Sequence, residues 1–336
     1  MDRQFPPEVV VLIVEASLDL YDSFDMLDDH IPRYSTLCRY SRLNSVWRSI
    51  SKPLLYESVV ITTEEAEEAL MEVIEGGGDE MGMVRSLRVS NDEQGGTMEW
   101  LIARMYSQVE SLALDGRDIL HLSRTNRLRR LLLRESCFAP LFAPADPSVL
   151  PQLQHLEIED LSTHYDLTPQ SLPSLRSLSL SDSENIVIEP ALLNSLTALH
   201  LDDEDGCRDF LPHAKNLLLL SISNYFSDDV AFSRFDTIPR FVRLAQHSLS
   251  VAVTALGYHV SSGKSGLEMI FWDEEKESRI GRDREAADAI RCIGELSGKG
   301  IKVIRGNISF LNAVERVDAI LAKEKRAKED RERAAM

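Results

Sequence analysis

The chain has few cysteines, a deficit of basic residues and no long hydrophobic run. Its four cysteines, Cys38, Cys137, Cys207 and Cys292, are scattered and form no C-x-x-C pair, so we interpret them as reduced thiols of an intracellular protein. The balance of 37 Lys and Arg against 55 Asp and Glu gives a net charge of −18. This charge argues against nucleic acid and anionic membranes as partners, because phosphate binding requires clustered basic residues. The longest apolar runs, such as Val9–Val14, are far shorter than the ~20 residues of a spanning helix, and we expect a cytoplasmic or nuclear location.

One short pattern, apolar-x-x-apolar-x-apolar, returns seven times between residues 84 and 222. The copies begin at Val84, Val109, Leu128, Leu153, Leu175, Leu196 and Leu217, so the steps are 25, 19, 25, 22, 21 and 21 residues. These steps are close to the roughly 20–29 residue period of a leucine-rich repeat. A strand with this pattern cannot bury its apolar side alone, so neighbouring copies must stack. The sequence therefore predicts an α/β fold: an irregular leucine-rich-repeat solenoid with a parallel strand ladder on its concave face.

A small helical domain is predicted before the repeats. Phe5, Pro6 and Pro7 are followed by an acid at Glu8, which suits the positive end of a helix. The next segment, Val9–Val14, is apolar on every side, so such a helix must be covered both by its own domain and by something else.

A second helix is predicted from about Ser35 to Ile50, after an acidic connector that ends at Pro32. Leu43 and Trp47 contribute to one apolar face at helical spacing. We expect Pro53 to end this helix, because proline lacks the N–H group that a helix interior needs.

Residues 5–60 resemble an F-box. Phe5-Pro-Pro-Glu8 is similar to the Leu-Pro-x-Glu start of that family, Trp47-Arg48 to its Trp-Arg helix, and Pro53-Leu-Leu-Tyr56 to its frequent exit sequence. The sequence departs from the family pattern in having Phe5 in place of Leu and a longer, more acidic connector. An F-box followed by leucine-rich repeats is typical of a class that is common in fungi.

The resemblance implies a docking function. F-boxes bind a Skp-type adaptor, which links them to a cullin–RING ubiquitin ligase. The residues that would supply adaptor contacts, or the packing that shapes them, are Phe5, Pro6, Pro7, Leu12, Leu37, Leu43 and Trp47. The alternative is that residues 1–60 are only a helical cap that seals the amino-terminal end of the solenoid.

The concave face of the ladder is the predicted binding surface for an unknown target protein. Residues between and just after the apolar ladder positions should lie on it, which makes it basic near Arg130 and Arg134 and acidic from Glu157 onward. The candidate target-binding residues are Arg130, Arg134, His155, Glu157, Glu159, His200 and Asp202. Taken singly, each of these side chains is expected to be a solvated surface residue, His200 included.

The predicted organisation has four parts. Residues 1–60 are the F-box-like domain, residues 61–83 a helix and a Gly-rich linker, residues 84–310 the solenoid with longer carboxy-terminal repeats, and residues 311–336 a charged, solvated helix that frays into a tail. The longer repeats are predicted to contain strands at residues 249–256, 267–272 and 301–304 and a helix at residues 284–296.

No catalytic, metal or cofactor motif is complete in the sequence. Gly263-Lys264-Ser265 resembles the end of a Walker A loop, but Tyr258 occupies the position that needs the first Gly. The histidines have no metal spacing, and no nucleophile is fixed beside His200 and Asp202 by sequence. We therefore predict a non-enzymatic substrate receptor without a cofactor. The alternatives are an interaction scaffold with no ubiquitin role and, third, a hydrolase on a repeat scaffold.

Overall fold

The computed structural model divides the chain into two compact units, residues 1–143 with 148–152 and residues 144–147 with 153–336. The structure describes residues 5–18, 27–76, 82–90, 108–115, 127–134, 150–160, 165–182, 186–202, 209–222, 239–245, 266–273, 294, 296–298, 300–306 and 308–334. Within these ranges, no helix is both long enough and apolar enough to cross a membrane.

The first unit begins with helices, as the sequence predicts. They are α1 (Pro7–Leu18), α2 (Leu27–Ser41), α3 (Ser45–Glu57) and α4 (Glu64–Glu75). The buried side chains of Val10, Val14, Leu37 and Trp47 form a core shared by α1, α2 and α3. The helix expected at the start of residues 61–83 is α4. The hydroxyl of Thr63 accepts a hydrogen bond from the backbone N–H of Ala66, the third residue of α4, as a helix cap does.

The single helix expected from residue 35 to residue 50 is wrong, because a turn at residues 42–44 separates α2 from α3. Asn44 has an extended backbone, and its side-chain oxygen accepts hydrogen bonds from the N–H groups of Val46 at 2.9 Å and Trp47 at 3.1 Å. These bonds satisfy two of the donors that the first turn of a helix leaves open, so Asn44 starts a new helix.

Two prolines expected outside helices lie within them. Pro53 does not end a helix but lies inside α3, and Pro32 lies inside α2. A proline inside a helix removes one backbone hydrogen bond. In α3 the two residues that follow, Leu54 and Leu55, pack against the core of the three helices, and this packing offsets the missing bond.

A parallel ladder follows the helices in the first unit. Its strands are β1 (Ser58–Ile61), β2 (Ser86–Ser90), β3 (Ser111–Asp115) and β4 (Arg130–Arg134). Neighbours pair in register, with Leu87 opposite Leu112 and Leu112 opposite Leu131, which confirms the first three predicted copies. Strand β1 was not predicted as part of the ladder, although Val59 pairs with Leu87, so the ladder begins directly after α3.

The second unit contains a longer parallel ladder. Its elements are β5 (His155–Glu159), β6 (Tyr165–Leu167), β7 (Ser177–Ser181), β8 (Ile186–Ile188), α5 (Pro190–Ser195), β9 (Ala198–Leu201), β10 (Leu219–Ile222), β11 (Phe241–Ala245), β12 (Met269–Asp273), β13 (Lys302–Gly306) and α6 (Phe310–Ala334). The ladder order is β5-β7-β9-β10-β11-β12-β13, while β6 and β8 pair with each other in a small parallel sheet. This confirms a stacked, parallel-strand solenoid architecture that is compatible with leucine-rich repeats.

Strand β11 is a copy of the repeat that the sequence pattern missed. It pairs in parallel with β10, with Val242 opposite Leu220 and Leu244 opposite Ile222. Counting back from these positions, the copy begins at Pro239, which lies 239 − 217 = 22 residues after the start of the preceding copy. A proline in place of the first apolar residue concealed it.

The strands predicted at residues 267–272 and 301–304 are confirmed as β12 and β13. The strand predicted at residues 249–256 lies outside the described residues, as does most of the helix predicted at residues 284–296.

The carboxy-terminal helix was expected to be solvated throughout, and this is wrong for its first half. Phe310, Ala313, Val314 and Val317 of α6 are buried in a cluster with ladder side chains. These residues recur at intervals of three and four, which places them on one face of a helix. From residue 322 to residue 333 the helix is exposed, as predicted.

Candidate functional site

The core of the amino-terminal helices is closed by the helices themselves. Trp47 is only 8 % exposed, and its ring centroid lies 4.9 Å from that of Tyr40. The hydroxyl of Tyr40 is 2.9 Å from that of Ser17 on α1. All members of this core lie between residues 10 and 55, so Trp47 and Leu37, two of the predicted adaptor residues, shape the domain from inside.

Large apolar side chains remain exposed around this core. Phe5, Leu12, Tyr34 and Leu43 are between 56 and 64 % exposed, and we refer to these four as the N-terminal apolar residues. They are four of the five large hydrophobic side chains exposed in the described part of the chain. The predicted adaptor residues Phe5, Pro6, Pro7, Leu12 and Leu43 are all exposed, whereas Tyr34 was not among the candidates.

Helix α1 contributes both to the buried core and to the N-terminal apolar residues. Val10 and Val14, four residues apart, are buried, while Glu8, Leu12 and Glu15 are exposed on another face. The expectation that this apolar helix is covered by its own domain therefore holds for one side. Its other side presents Leu12, an apolar side chain that the helices of the first unit leave uncovered.

In the ladder of the first unit, side chains that were expected on a solvated face are buried. Arg88, Ala113 and Leu132 lie between the apolar ladder positions, yet all three are buried. Arg88 is 2 % exposed, and its Nη2 donates a hydrogen bond of 2.9 Å to Oδ2 of Asp115 on the neighbouring strand. A charged side chain at this depth is retained because it is paired.

The predicted target-binding residues fall into two groups by burial. Arg130 and Arg134, at the two ends of β4 in the first unit, are half-buried. In the second unit His155, Glu157 and Glu159 are half-buried on β5, whereas His200 and Asp202 are buried. The structure brings the three β5 residues together on one strand.

His200 belongs to a buried polar cluster, so the expectation of a surface histidine is wrong. Its Nδ1 lies 2.8 Å from the hydroxyl of Ser221 on the next strand. Nη1 of Arg243 donates to the same hydroxyl at 3.0 Å. Because the Ser221 oxygen accepts from the guanidinium, its proton is available to Nδ1 of His200. Burial, with a smaller contribution from Arg243, lowers the pKa of His200 to about 3, so the ring is neutral.

Sequence reasoning missed this cluster. A signal was present for His200 and Ser221, whereas Pro239 concealed the copy that contains Arg243. If the first apolar residue of a copy is position one, then His200, Ser221 and Arg243 all occupy position five of consecutive copies. Equal positions in stacked repeats lie side by side, as the strand register shows. Position five therefore had to be read across the copies rather than along one strand.

Asp202, the other buried candidate, supports the backbone between copies. Its Oδ2 accepts a hydrogen bond of 2.7 Å from the N–H of Asp182. Asp182 has a φ of 45°, a left-handed conformation that Asp and Asn tolerate better than most residues. This contact gives Asp202 a structural role at the end of β7.

Helix α6 covers the face of the ladder that carries the polar cluster. Its apolar residues pack on Ala198, Leu219, Phe241, Met269 and Phe271 of β9 to β12, and we call these five side chains the α6-covered face. The ring of Phe310 lies 5.4 Å from that of His200. Ser221 is fully buried, so substrate has no access to its hydroxyl while α6 is in place.

An ion-pair network holds α6 farther along. Arg240, just before β11, pairs through Nε with Glu268 at 2.7 Å, and its Nη1 and Nη2 donate to the carboxylate of Glu324 on α6. These hydrogen bonds, the one to Glu324 first, raise the pKa of Arg240 above its usual value. The same contact lowers the pKa of Glu324, so the pair is charged at neutral pH.

No protein-family model matches this chain, and no curated protein matches it. Function is therefore inferred from its own residues. In the described part of the chain, no group of three or more His, Cys, Asp and Glu side chains could hold a metal ion. Among the described residues, the N-terminal apolar residues are an exposed apolar group, and the α6-covered face is a second apolar surface, which α6 occupies.

Proposed function

We propose that this protein is the substrate-recognition subunit of a Skp–cullin–F-box type ubiquitin ligase. In this proposal the amino-terminal helices dock a Skp-type adaptor, and the ladder binds the target protein. The observation that carries it is the exposure of Phe5, Leu12 and Leu43, which are predicted adaptor residues, around a core built on Trp47.

Adaptor docking would remove the exposed apolar side chains of the first unit from water. Fully burying a large apolar side chain contributes roughly 1.5–3 kcal/mol, so burying residues that are already partly covered contributes about 1–2 kcal/mol each. Contiguous exposed apolar patches mark interaction sites, and we infer that the N-terminal apolar residues belong to one. A helical adaptor that covers Leu12 and Leu43 would gain this free energy, which supports docking at these helices.

Co-purification tests the docking proposal. The chain and a Skp-type adaptor are co-expressed, and adaptor recovery is compared among wild type, a Leu12→Glu/Leu43→Glu double variant and Val187→Glu. We expect the double variant to lose at least tenfold in recovery, because two carboxylates would be buried in the interface. Val187 is the matched control, since it is also apolar and exposed but lies on β8.

Exposed positions are preferable to Trp47 for this test, because Trp47→Ala would remove core packing and unfold the helices. Recovery of no adaptor by the wild-type chain, with all proteins folded, would contradict the proposal.

The second candidate is an interaction scaffold in which the helices only cap the ladder. One observation favours it: α3 ends at Glu57 and β1 begins at Ser58, with no linker between the helices and the first ladder strand. A cap that seals the end of a repeat array is continuous with it in this way. Adaptor binding separates the candidates, because a cap has no reason to bind one.

The target-binding part of the proposal is assigned to the ladder. The half-buried residues His155, Glu157 and Glu159 lie on one strand, and the chain carries a net charge of −18. Acidic side chains in an acidic protein favour a target with a basic surface.

A further inference from the structure

We propose that the α6-covered face is a helix-binding surface, and that the target is recognised through an amphipathic helix that takes the place of α6. This inference deepens the proposed function, on which it rests only in treating the ladder as the target-binding part. Its physical basis lies entirely in the second unit.

The α6-covered face differs in polarity from the same face of the earlier strands. At position three of successive copies the side chains are polar in β5 and β7, namely His155 and Ser177, and then apolar from β9 to β12. The apolar members are Ala198, Leu219, Phe241 and Met269. A ladder stabilises itself through its interior leucines and does not need apolar residues on the opposite side. This apolar band therefore suits an external helix.

The contacts of α6 define the helix that fits. Phe310 lies against His200, and Ala313, Val314 and Val317 follow at plus three, plus four and plus seven. A carboxylate at plus fourteen, Glu324, meets Arg240. The expected ligand is thus an amphipathic helix with an aromatic residue near its start, small or branched apolar residues on one face and an acid about four turns later.

One hydrogen bond at the start of α6 does not depend on the side chains of that helix. Nε of Arg243 donates a hydrogen bond of 2.6 Å to the backbone carbonyl of Ile308, two residues before Phe310. Any peptide backbone at that place offers the same acceptor. Arg243 can therefore hold the beginning of a foreign helix as it holds the beginning of α6.

The exposure of its second half permits exchange of α6. This helix follows β13, and its residues 322–333 are exposed. Within that exposed half, the described contact with the ladder is the Arg240–Glu324 ion pair. Even a bidentate pair at the surface contributes only about 1 kcal/mol. Opening without replacement would expose the apolar band to water. Displacement by a helix of the same pattern avoids that exposure, so competition is the expected route.

A labelled peptide with the sequence of residues 306–334 is the probe. Its binding to the purified full-length chain, without adaptor, is measured by fluorescence anisotropy. The chain variants are wild type, Glu324→Lys, which weakens docking of α6 in cis, and Glu329→Lys, a control at an exposed position of the same helix. We expect the Kd to be about fivefold lower for Glu324→Lys than for the other two chains, from the loss of one exposed ion pair.

A variant peptide and amide hydrogen exchange provide two further tests of the inference. The Phe310→Ala peptide should bind at least tenfold more weakly, because it loses the aromatic contact with the band. In amide hydrogen exchange, residues 311–321 of the wild-type chain should exchange at least tenfold faster than β9 to β11, since α6 opens separately from the ladder.

Three results of the binding and exchange measurements would overturn the inference. They are no saturable binding of the parent peptide to Glu324→Lys, equal binding of the two peptides, or exchange in α6 that is as slow as in the ladder strands. Dimerisation of Glu324→Lys by light scattering, without peptide binding, would also overturn it, since the face would then join two copies of this chain. Because adaptor is absent from these experiments, their failure would be distinguishable from failure of adaptor docking.

Discussion

The polar cluster beneath α6 shows how single side chains can be at odds with the sequence expectation. His200 was expected at the surface, where its ring would titrate near its usual pKa. Instead it is 6 % exposed and hydrogen-bonded to Ser221. Composition along one strand could not reveal this, because the neighbours that bury His200 come from the next strand and from a helix more than a hundred residues later in the chain.

The burial of His200 predicts a stability that depends on pH. Its pKa is lowered to about 3 in the folded state, against about 6.5 when unfolded. The unfolded state therefore binds more protons below pH 6.5, and stability falls as pH decreases from there toward 3. From pH 7 to pH 5 this one group should lower the free energy of unfolding by about 2 kcal/mol.

Urea denaturation at the two pH values measures the effect. The decrease between pH 7 and pH 5 should be smaller by about 2 kcal/mol in His200→Gln than in wild type, whereas His213→Gln, at an exposed imidazole, should behave as wild type does. Equal decreases in His200→Gln and wild type would show that the ring is not held neutral by the fold.

Ladder strands were predictable where the three apolar positions of the pattern recurred at the spacing of the repeat. The copies at Leu153, Leu175 and Leu196 became β5, β7 and β9 with the expected register. Strand β11 escaped because Pro239 replaced the first apolar residue. The small sheet of β6 and β8 lies between the copies, where no periodic pattern exists to predict it.

The helix boundary at Asn44 was missed for a related reason. Apolar residues at helical spacing continue through the turn at residues 42–44, so Leu43 and Trp47 were placed on one apolar face, although Leu43 is exposed and Trp47 is buried. The capping signal was nevertheless present, since Asn is among the residues that most favour a helix start.

Asn44→Ala should lower the free energy of unfolding by about 1 kcal/mol, because two N–H groups of the first turn of α3 lose their acceptor. Chemical denaturation monitored by tryptophan fluorescence, in a chain whose Trp100 and Trp272 are replaced by Phe so that Trp47 alone reports, measures this change. Asn44→Asp is the matched control and should retain most of the stability, since its carboxylate can accept the same bonds. If Asn44→Asp lost as much unfolding free energy as Asn44→Ala, the loss of the helix-cap hydrogen bonds would not explain the change.

At the scale of the whole molecule, two different surfaces belong to two different units. The N-terminal apolar residues lie in the first unit and the α6-covered face in the second. The sequence anticipated the order of the two parts, helices first and the ladder after them. It did not anticipate that the carboxy-terminal helix lies on the ladder, because its charged second half dominates its composition.

This division predicts that the two binding activities can be separated. Leu12→Glu/Leu43→Glu should lose the adaptor and bind the α6 peptide as wild type does. Glu324→Lys should retain the adaptor and bind the α6 peptide about fivefold more tightly, since the two surfaces share no residue. Anisotropy and co-purification on the same protein preparations measure both. A variant that lost both activities while remaining folded would contradict separate surfaces.

The most direct test of the proposed function is the equilibrium Kd of the purified full-length chain for a purified Skp-type adaptor, measured by calorimetry. We predict one saturable 1:1 interaction with a Kd below about 1 μM, the affinity expected when several apolar anchors are buried together. The heat should vanish for Leu12→Glu/Leu43→Glu and persist for Val187→Glu. Absence of saturable binding by the folded wild-type chain would contradict the receptor proposal and leave the ladder with a helical cap.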